Sequence, residues 1–438
     1  MVINGPVEVE FDNFVKVEVG MKGELESNRF LLSLWNEFDE QYAPQKSPER
    51  CPWAYFPSRH LGKKCSVICF GGLQTKIGDI LVAISFRTKG DIDAIHFGIL
   101  RPNNEKLTEI FTGLVSSAKL KMNAVDIYIV KAKLINKVVD SLFYSYGDGR
   151  FRIYNENKCN YISFIVLAIN KDEAKGEAVS RLNYLRAFLS VETNFLFGYD
   201  EVEISNNNVV LPIWEESPYQ EDFIDSYSEK DGFILISKKA VSFLGKYLFG
   251  RRELLFSDAI KYFLLGCRHF YEGRVAESKL EEAVVASSKH QTFYLTLNDL
   301  RDKEAIINAT ITSYLSSIET ATFVNGINMT CPKCNAVQYK IAQRIADFVS
   351  RFFSEDMGKL FKKIYGFRSK YLHVGFSSTS NNYNHNKPLL DVNTGTGAID
   401  YGFHTVRVDG GVVGLSTSNV REWTSYCLRK YYQKELLP

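Results

Sequence analysis

An arginine and a histidine five positions apart, Arg368 and His373, are the residues of this chain whose types and spacing best fit a chemical reaction. Histidine changes its charge near neutral pH and can therefore take or give a proton, whereas the guanidinium of arginine stays positive. Cleavage of RNA by its own 2′-hydroxyl requires a proton acceptor for that hydroxyl and a positive charge for the phosphorane. The pair therefore indicates RNA cleavage that needs no metal ion and no cofactor.

The segment that carries the pair, from about residue 357 to residue 373, has the periodicity of an amphipathic helix. The apolar residues of its buried face are Leu360, Ile364, Phe367 and Tyr371. At about 100° per residue, Arg368 lies at the edge of this face and His373 on the far side. The two positions are about 140° apart. Both side chains can therefore reach one substrate only if the helix ends or kinks there, as Gly375 allows, or if a second copy supplies the partner.

Basic residues populate the polar faces of this helix and of the helix before it. They are Lys340, Arg344, Arg351, Lys359, Lys362, Lys363 and Lys370. The formal net charge of the chain is only +2, so any footprint for RNA phosphates is local. A solvated basic face with one exposed histidine would give the same pattern. As substrate-binding residues we expect Arg344, Lys363, Ser369 and Lys370.

The residues around the pair, Ile364-Tyr-Gly-Phe-Arg-Ser-Lys-Tyr-Leu-His-Val-Gly375, resemble the signature of the HEPN superfamily (higher eukaryotes and prokaryotes nucleotide-binding), most closely its Apea-like branch. Two upstream segments are similar to helices of that branch and occur in the expected order. They are Tyr314-Leu-Ser-Ser-Ile-Glu319 and Tyr339-Lys-Ile-Ala-Gln-Arg-Ile345. The resemblance covers the C-terminal part of the chain and does not extend to residues 1–240.

The resemblance implies a metal-independent ribonuclease of a defence or toxin type, whose site forms between two helical domains. Arg368 and His373 would then be catalytic, together with Glu319, which would pair with Arg368 and orient its guanidinium. Many nucleolytic members carry Asn, Asp or His directly after the arginine. This chain has Ser369 there, whose hydroxyl forms hydrogen bonds but is a poor base. Inert members of the superfamily also exist, as dimerisation or nucleotide-sensing modules.

Three functions therefore remain open. The leading one is an endoribonuclease that cleaves RNA as a homodimer paired through its C-terminal helices. The second is a non-catalytic module that binds nucleotide or RNA or serves dimerisation. The third is a protein that is itself modified by nucleotidyl or adenylyl transfer, at Tyr371 or Ser369.

Hydrophobic periodicity predicts an α+β chain, with a mixed sheet and helix domain at 1–236. Its first half has β-rich segments that indicate an antiparallel sheet, at Val7–Val19, Lys64–Phe70, Lys76–Phe86 and Asp91–Leu100. Helices are expected after Asn104 and from Asp172. The further strands are expected at Ala124–Val130, Phe151–Tyr154, Tyr161–Ile169, Glu201–Ser205 and Asn208–Trp214. This domain would act as a sensor or specificity module for a phage-derived or nucleotide trigger.

Residues 237–438 are predicted to form a HEPN-like all-α bundle with a small β-hairpin insertion. The helices are expected at about 257–271, 276–286, 299–324, 338–353, 357–373 and 418–434. Alternating valines on both sides of Asp409-Gly-Gly411 predict the hairpin, from His404 to Leu415.

The cysteine pattern argues against a disulfide-bonded protein, and the lengths of the apolar runs argue against a membrane-spanning one. The 8 cysteines lack a regular framework, which favours free thiols. Cys331 and Cys334 have the spacing of half a zinc site, which Cys267 and His269 could complete only if their helix approached that loop; a simple turn with two thiols is the favoured interpretation. Apolar runs fall short of the roughly 18 residues that cross a bilayer, and the N-terminal residues lack a signal-peptide pattern. We therefore expect a cytoplasmic protein that does not bind a membrane.

Overall fold

The structure is a computed structural model of the chain. It describes residues 14–45, 50–61, 66–86, 90–99, 107–137, 141–206, 211, 213, 217–220, 223–224, 228–250, 256–289, 297–323, 329–330, 337–338, 340–374, 392–393, 398–399, 406–408, 411–415 and 417–437. Of these, residues 56–61, 66, 281–289, 297–304, 329–330, 337–338, 367, 370–374, 392–393, 398–399, 406–408 and 411–415 are described by their backbone only.

The chain divides into two compact units, residues 1–126 with 167–171, and residues 127–166 with 172–438. Sheets and helices both contribute, so the predicted α+β class is confirmed. The domain boundary expected between residues 236 and 237 falls inside the second unit, because the second sheet and the C-terminal helices share one compact body. In the part of the chain that is described, no helix is both long and apolar enough to cross a membrane.

The first unit is built on an antiparallel sheet with two helices. Its elements are β1 (Val15–Met21), α1 (Gly23–Tyr42), β2 (Trp53–Leu61), β3 (Ser66–Thr75), β4 (Gly78–Phe86), β5 (Ile92–Ile99) and α2 (Leu107–Lys121). The strands pair in the order β1-β5-β4-β3-β2, every neighbour antiparallel, as the β-rich pattern predicted. Pro57 is tolerated in β2 because β2 is an edge strand, and its pairing register shifts between Tyr55 and Ser58.

Helix α1 was missed by the strand-based interpretation of this region. Its apolar residues Phe30, Leu34 and Phe38 recur every four positions and are fully buried. They pack in one core with Phe97 of β5 and Phe111 of α2, whose rings stack with centroids 4.5 Å apart. The periodic signal for α1 was therefore present in the sequence.

The second unit begins with another sheet. Its strands are β6 (Asp126–Asn136), β7 (Leu142–Phe143), β8 (Tyr146–Gly147), β9 (Phe151–Glu156), β10 (Cys159–Ala168) and β11 (Phe197–Ser205). Helix α3 (Lys171–Thr193) joins β10 to β11. The larger sheet has the order β11-β6-β10-β9-β8, while β7 pairs with β13 (Phe233–Ile234), which also pairs with β12 (Glu229–Lys230). The strand expected at 208–214 lies outside the described residues, apart from Leu211 and Ile213.

The rest of the unit is mainly helical. Its helices are α4 (Lys238–Phe243), a π-helical turn (Leu244–Leu248), α5 (Asp258–Lys289), α6 (Leu297–Ala321), α7 (Ile341–Phe352), α8 (Glu355–Val374), α9 (Thr417–Tyr431) and a second π-helical turn (Tyr432–Leu436). Short strand pairs are β14 (Met329–Thr330) with β15 (Val337–Gln338), β16 (Val392–Asn393) with β17 (Ala398–Ile399), and β18 (Val406–Val408) with β19 (Gly411–Leu415). The last pair confirms the predicted hairpin.

The C-terminal helix is tied to α3 by buried polar contacts. Ser425 on α9 donates to the Val191 carbonyl at 2.8 Å, and the Tyr432 hydroxyl donates to Glu192 at 2.6 Å. Glu192 also accepts from the Ser237 backbone N–H at 2.9 Å. Because Glu192, Ser425 and Tyr432 are buried, breaking their contacts would leave a polar atom without water, so these contacts hold the C-terminal helix on α3.

Helix α5 corrects the prediction of two separate helices at 257–271 and 276–286. It runs unbroken through Gly273, whose missing Cβ makes room for the ring of Tyr314 on α6. A Cβ at Gly273 would lie 2.6 Å from a ring carbon of Tyr314. That ring is fully buried, so it has little room to move away.

Gly273→Ala is therefore expected to lower the free energy of unfolding by about 1–3 kcal/mol, through overpacking between α5 and α6. Urea unfolding followed by circular dichroism measures the change. The matched control is Gly176→Ala on α3, where an added Cβ meets no atom within 4 Å. This control should be neutral or should stabilise by about 0.5–1 kcal/mol. Equal stability of Gly273→Ala and wild type would contradict the close approach of the two helices.

Candidate active site

Glu319 on α6 and Arg368 on α8 form an ion pair, with Arg368 Nη2 3.3 Å from Glu319 Oε2. The same Nη2 donates to Ser316 Oγ at 3.2 Å. The pair forms because both residues lie beside the buried stripes of their helices, which include Ile318 on α6 and Ile364 on α8. The side chain of Arg368 is 18% exposed and that of Glu319 is 22% exposed, so substrate could still reach them. The pairing that the family resemblance implied is present in the structure.

Tyr365 completes the support of the guanidinium. Arg368 Nη1 donates to the Tyr365 hydroxyl at 2.7 Å, and that hydroxyl lies 3.3 Å from Glu319 Oε2, to which it donates. Burial and the negative charge of Glu319 raise the pKa of Tyr365, so its hydroxyl keeps its proton at neutral pH. Tyr365 was not predicted as a site residue, although its position three residues before Arg368 puts both on one side of the helix.

Arg344 on α7 also binds the end of α6, at groups that Arg368 does not use. Its Nη2 donates to the Glu319 carbonyl at 3.3 Å and its Nε donates to Thr322 Oγ1 at 3.2 Å. Its Cζ also lies 5.9 Å from the centre of the Phe323 ring. Arg344 is therefore next to the Arg368 pair, at the end of α6, where it adds positive charge.

The other predicted residues all lie on α8. Lys363 is exposed and Ser369 is half-buried. The backbone at Lys370 and His373 is helical, and their side chains lie outside the described part. The geometry therefore brings together Glu319, Arg368 and, from α7, the neighbouring Arg344.

Helix α8 is continuous past the pair. It begins beside Ser354, whose hydroxyl accepts from the Met357 backbone N–H at 3.3 Å, and it ends only at Val374. Positions 368 and 373 are consequently about 140° apart around the axis and about 7.5 Å apart along it. The helix does not end between the two positions.

A second cluster of charged side chains, which sequence reasoning did not find, is buried between α5, α6 and α9. Glu277 is paired there with Arg274 and with Arg421, whose Nη1 lies 3.2 Å away. Tyr314 donates to the Glu277 carboxylate at 2.6 Å and Thr417 does so at 3.1 Å. Burial alone would raise the pKa of Glu277, but Arg421 and Arg274 outweigh it and lower that pKa to about 2. Because no residue of the cluster is more than 4% exposed, its role is to join three helices.

The thiols that are described are free, as predicted for these positions. They are Cys51, Cys69, Cys159, Cys267 and Cys427. Burial raises the pKa of the Cys267 and Cys427 thiols, that of Cys427 to about 12, so both stay protonated and unreactive. Within the described residues no group of three His, Cys, Asp or Glu side chains could hold a metal ion. Cys331 and Cys334, which have the spacing of half a zinc site, lie outside the described residues.

Comparison of the chain with family models, curated protein sequences and solved structures gives no match in any of the three.

Proposed function

We propose that this protein is a metal-independent endoribonuclease of a defence or toxin type, with a site formed where two copies pair through their C-terminal helices. The observation that carries the proposal is the fixed guanidinium of Arg368, held by Glu319, Tyr365 and Ser316. A charge oriented before substrate arrives needs no reorganisation when the phosphorane forms, which is the condition for electrostatic stabilisation of a transition state. The resemblance of residues 364–375 to the HEPN signature supports the same assignment.

In the proposed reaction, His373 takes the proton of a ribose 2′-hydroxyl, and the 2′-oxygen attacks the adjacent phosphorus. The bond between O2′ and phosphorus forms as the bond between phosphorus and O5′ breaks. Arg368 stabilises the negative charge on the phosphorane oxygens. The departing O5′ takes the proton that His373 accepted, which returns the histidine to its neutral form. One fragment ends in a 2′,3′-cyclic phosphate and the other begins with a 5′-hydroxyl. All groups in this scheme come from protein and RNA.

A homodimer is part of the proposal because of the geometry of α8. Within one copy, positions 368 and 373 point about 140° apart on a continuous helix. A two-fold axis beside this helix would bring Arg368 of one copy near His373 of the other. Arg344, Lys363, Ser369 and Lys370 would then line the groove for the RNA backbone. We propose that the homodimer cleaves RNA in the cytoplasm, under control of a phage-derived or nucleotide trigger sensed by the N-terminal part of the chain.

The non-catalytic alternative has its own supporting observation. Arg368 already has three protein partners, and Ser369 stands where many nucleolytic HEPN proteins have a stronger base or amide. An arginine used only to join α6 to α8 would have the same contacts. In that case, the purified protein would bind RNA or nucleotide without cleaving it.

One experiment separates the nuclease from the non-catalytic module. Purified protein is incubated in excess EDTA with an RNA whose 5′ end carries a phosphate, and the ends of any fragments are then identified. We expect cleavage in EDTA, with new 5′-hydroxyl ends that polynucleotide kinase labels without prior phosphatase treatment. New 5′-phosphate ends, or a strict requirement for a divalent metal ion, would contradict the mechanism. RNA binding without any fragments would favour the non-catalytic module.

A further inference from the structure

A cleft of about 390 Å³ lies on one face of the sheet formed by β11, β6, β10 and β9 in the second unit. Its volume is in the lower range of ligand pockets, large enough for a small organic molecule. It shares no residue with the Arg368 site. Four neighbouring strands about 4.8 Å apart give it a width of about 14 Å.

The alternation of strand residues puts chemically different groups at the two ends of the cleft. Arg152 and Tyr154 line it from β9, and Lys131 from β6. Glu203 and Ser205 line it from β11, two strands away from β10. Residues Glu203 and Lys131 are paired in register, so they share one face of the sheet. The cleft is thus cationic towards β9 and β6 and carries a carboxylate and a hydroxyl at its β11 edge.

The cation at the β9 end is held in a fixed plane. The Arg152 guanidinium carbon lies 4.0 Å from the centre of the Tyr154 ring, and the Tyr154 hydroxyl lies 3.3 Å from Ser163 Oγ. A guanidinium that stacks on a ring directs its N–H groups outward in the plane, which suits the oxygens of a phosphate or carboxylate.

Lys131 lines the cleft from β6, two strands away from Arg152 on β9. Its Nζ lies 4.5 Å from the centre of the Tyr161 ring and 2.9 Å from Glu156. The hydrogen bond with Glu156 raises the pKa of Lys131, so the amine keeps its positive charge at neutral pH. Two cations of different geometry therefore line the cleft, Arg152 from β9 and Lys131 from β6.

The remaining lining suits the rest of a nucleotide. Ile129 and Leu211 supply apolar surface for a flat ring. Glu203 and Ser205 can exchange hydrogen bonds with the hydroxyls of a sugar, for which a carboxylate is a common partner. Across the sheet, Glu203 and Ser205 on β11 lie in register with Lys131 and Ile129 on β6, and Arg152 lies beyond β10 on β9.

We propose that this cleft binds a nucleoside monophosphate, with the phosphate on Arg152 and Lys131, the ribose hydroxyls on Glu203 and Ser205, and the base on the apolar surface. The inference goes beyond the proposed RNA cleavage and does not depend on it. It also names the chemical class of a small-molecule signal and the cleft in which that signal would bind.

The test is isothermal titration of the full-length protein with AMP, GMP, CMP and UMP, and with the four matching nucleosides. The variants are Arg152→Gln and Lys131→Gln, since either removes one cation from the phosphate end. The control is Arg268→Gln, which removes the same charge from a 69% exposed position on α5. Circular dichroism melting checks that each variant is folded, and Lys131, which is 37% exposed, provides the test if Arg152→Gln unfolds.

We expect saturable binding of at least one monophosphate, with its nucleoside at least about tenfold weaker, because the charge-assisted contacts to phosphate are lost. Each cleft variant should weaken that binding about tenfold, and Arg268→Gln should not. The proposal is overturned if none of the four monophosphates binds, if nucleoside and monophosphate bind equally well, or if folded Lys131→Gln binds as wild type does.

Discussion

Replacement of His373 by alanine is expected to lower the rate of RNA cleavage by about 10²–10⁴-fold, the usual contribution of a general acid or base. The fold should be unchanged, because position 373 is about 180° around α8 from the buried Ile364. Rates are measured with a fluorescently labelled RNA in EDTA, with enzyme in excess so that RNA release does not limit the rate. Stability is measured by thermal melting on the same samples.

The matched control for this prediction is His269→Ala on α5. His269 is also a helical histidine, 41% exposed, and it lies 3.2 Å from Glu272. Its replacement should leave the cleavage rate within about twofold of wild type, since surface changes away from a site have small effects. A His373→Ala protein that cleaves at the wild-type rate would contradict the catalytic role, and one that unfolds would contradict the outward placement.

The second large effect is expected from Glu277→Gln, which should lower the free energy of unfolding by about 3–5 kcal/mol. The glutamine leaves the positive charges of Arg274 and Arg421 buried without the carboxylate between them. Urea unfolding at pH 7 measures the change. The control is Glu272→Gln on the same helix, 49% exposed, which should change stability by no more than about 0.5 kcal/mol. A loss for Glu277→Gln as small as that of the control would show that the cluster does not hold the helices together.

The low pKa of Glu277 also sets the direction in which the stability of the fold changes with pH. The pKa is about 2 in the folded protein against an ordinary 4.5, so the unfolded chain takes up the proton first as pH falls. The stability due to this group is fully present above pH 4.5 and is lost towards pH 2. Wild type should therefore lose more stability than Glu277→Gln between these two pH values, by about 3 kcal/mol.

Periodic apolar residues made much of the helical part predictable. The stripe Ile260, Phe263 and Leu264 is buried as expected, because a face that repeats at helical spacing has few other ways to leave water. The strands β3, β4 and β5 were found for the corresponding reason, a run of β-branched residues between turn residues. Short sequence windows contain this information.

The predictions that were wrong or missing concern residues whose contact partners are distant in the sequence. A break was predicted between residues 271 and 276, whereas Gly273 within that stretch permits α5 to approach Tyr314 on α6. Glu277 was not singled out, because its burial depends on Arg421, which lies 144 positions further along. The Glu319 and Arg368 pair was predicted only with the help of the family resemblance, and Tyr365 between them was missed. Contacts of this kind are decided by tertiary packing, which local periodicity does not contain.

The most direct test of the central claim compares wild type with Arg368→Ala, expressed at matched levels in cells with and without phage challenge, by gel analysis of total RNA. We expect fragmented RNA with wild type in at least one of these conditions. With Arg368→Ala the RNA should be intact, since loss of an oriented charge costs about 10²–10³-fold in rate. Arg268→Ala is the control and should behave as wild type. Intact RNA with stable wild-type protein under both conditions, or equal fragmentation with Arg368→Ala, would contradict the assignment of this protein as a ribonuclease that acts through Arg368.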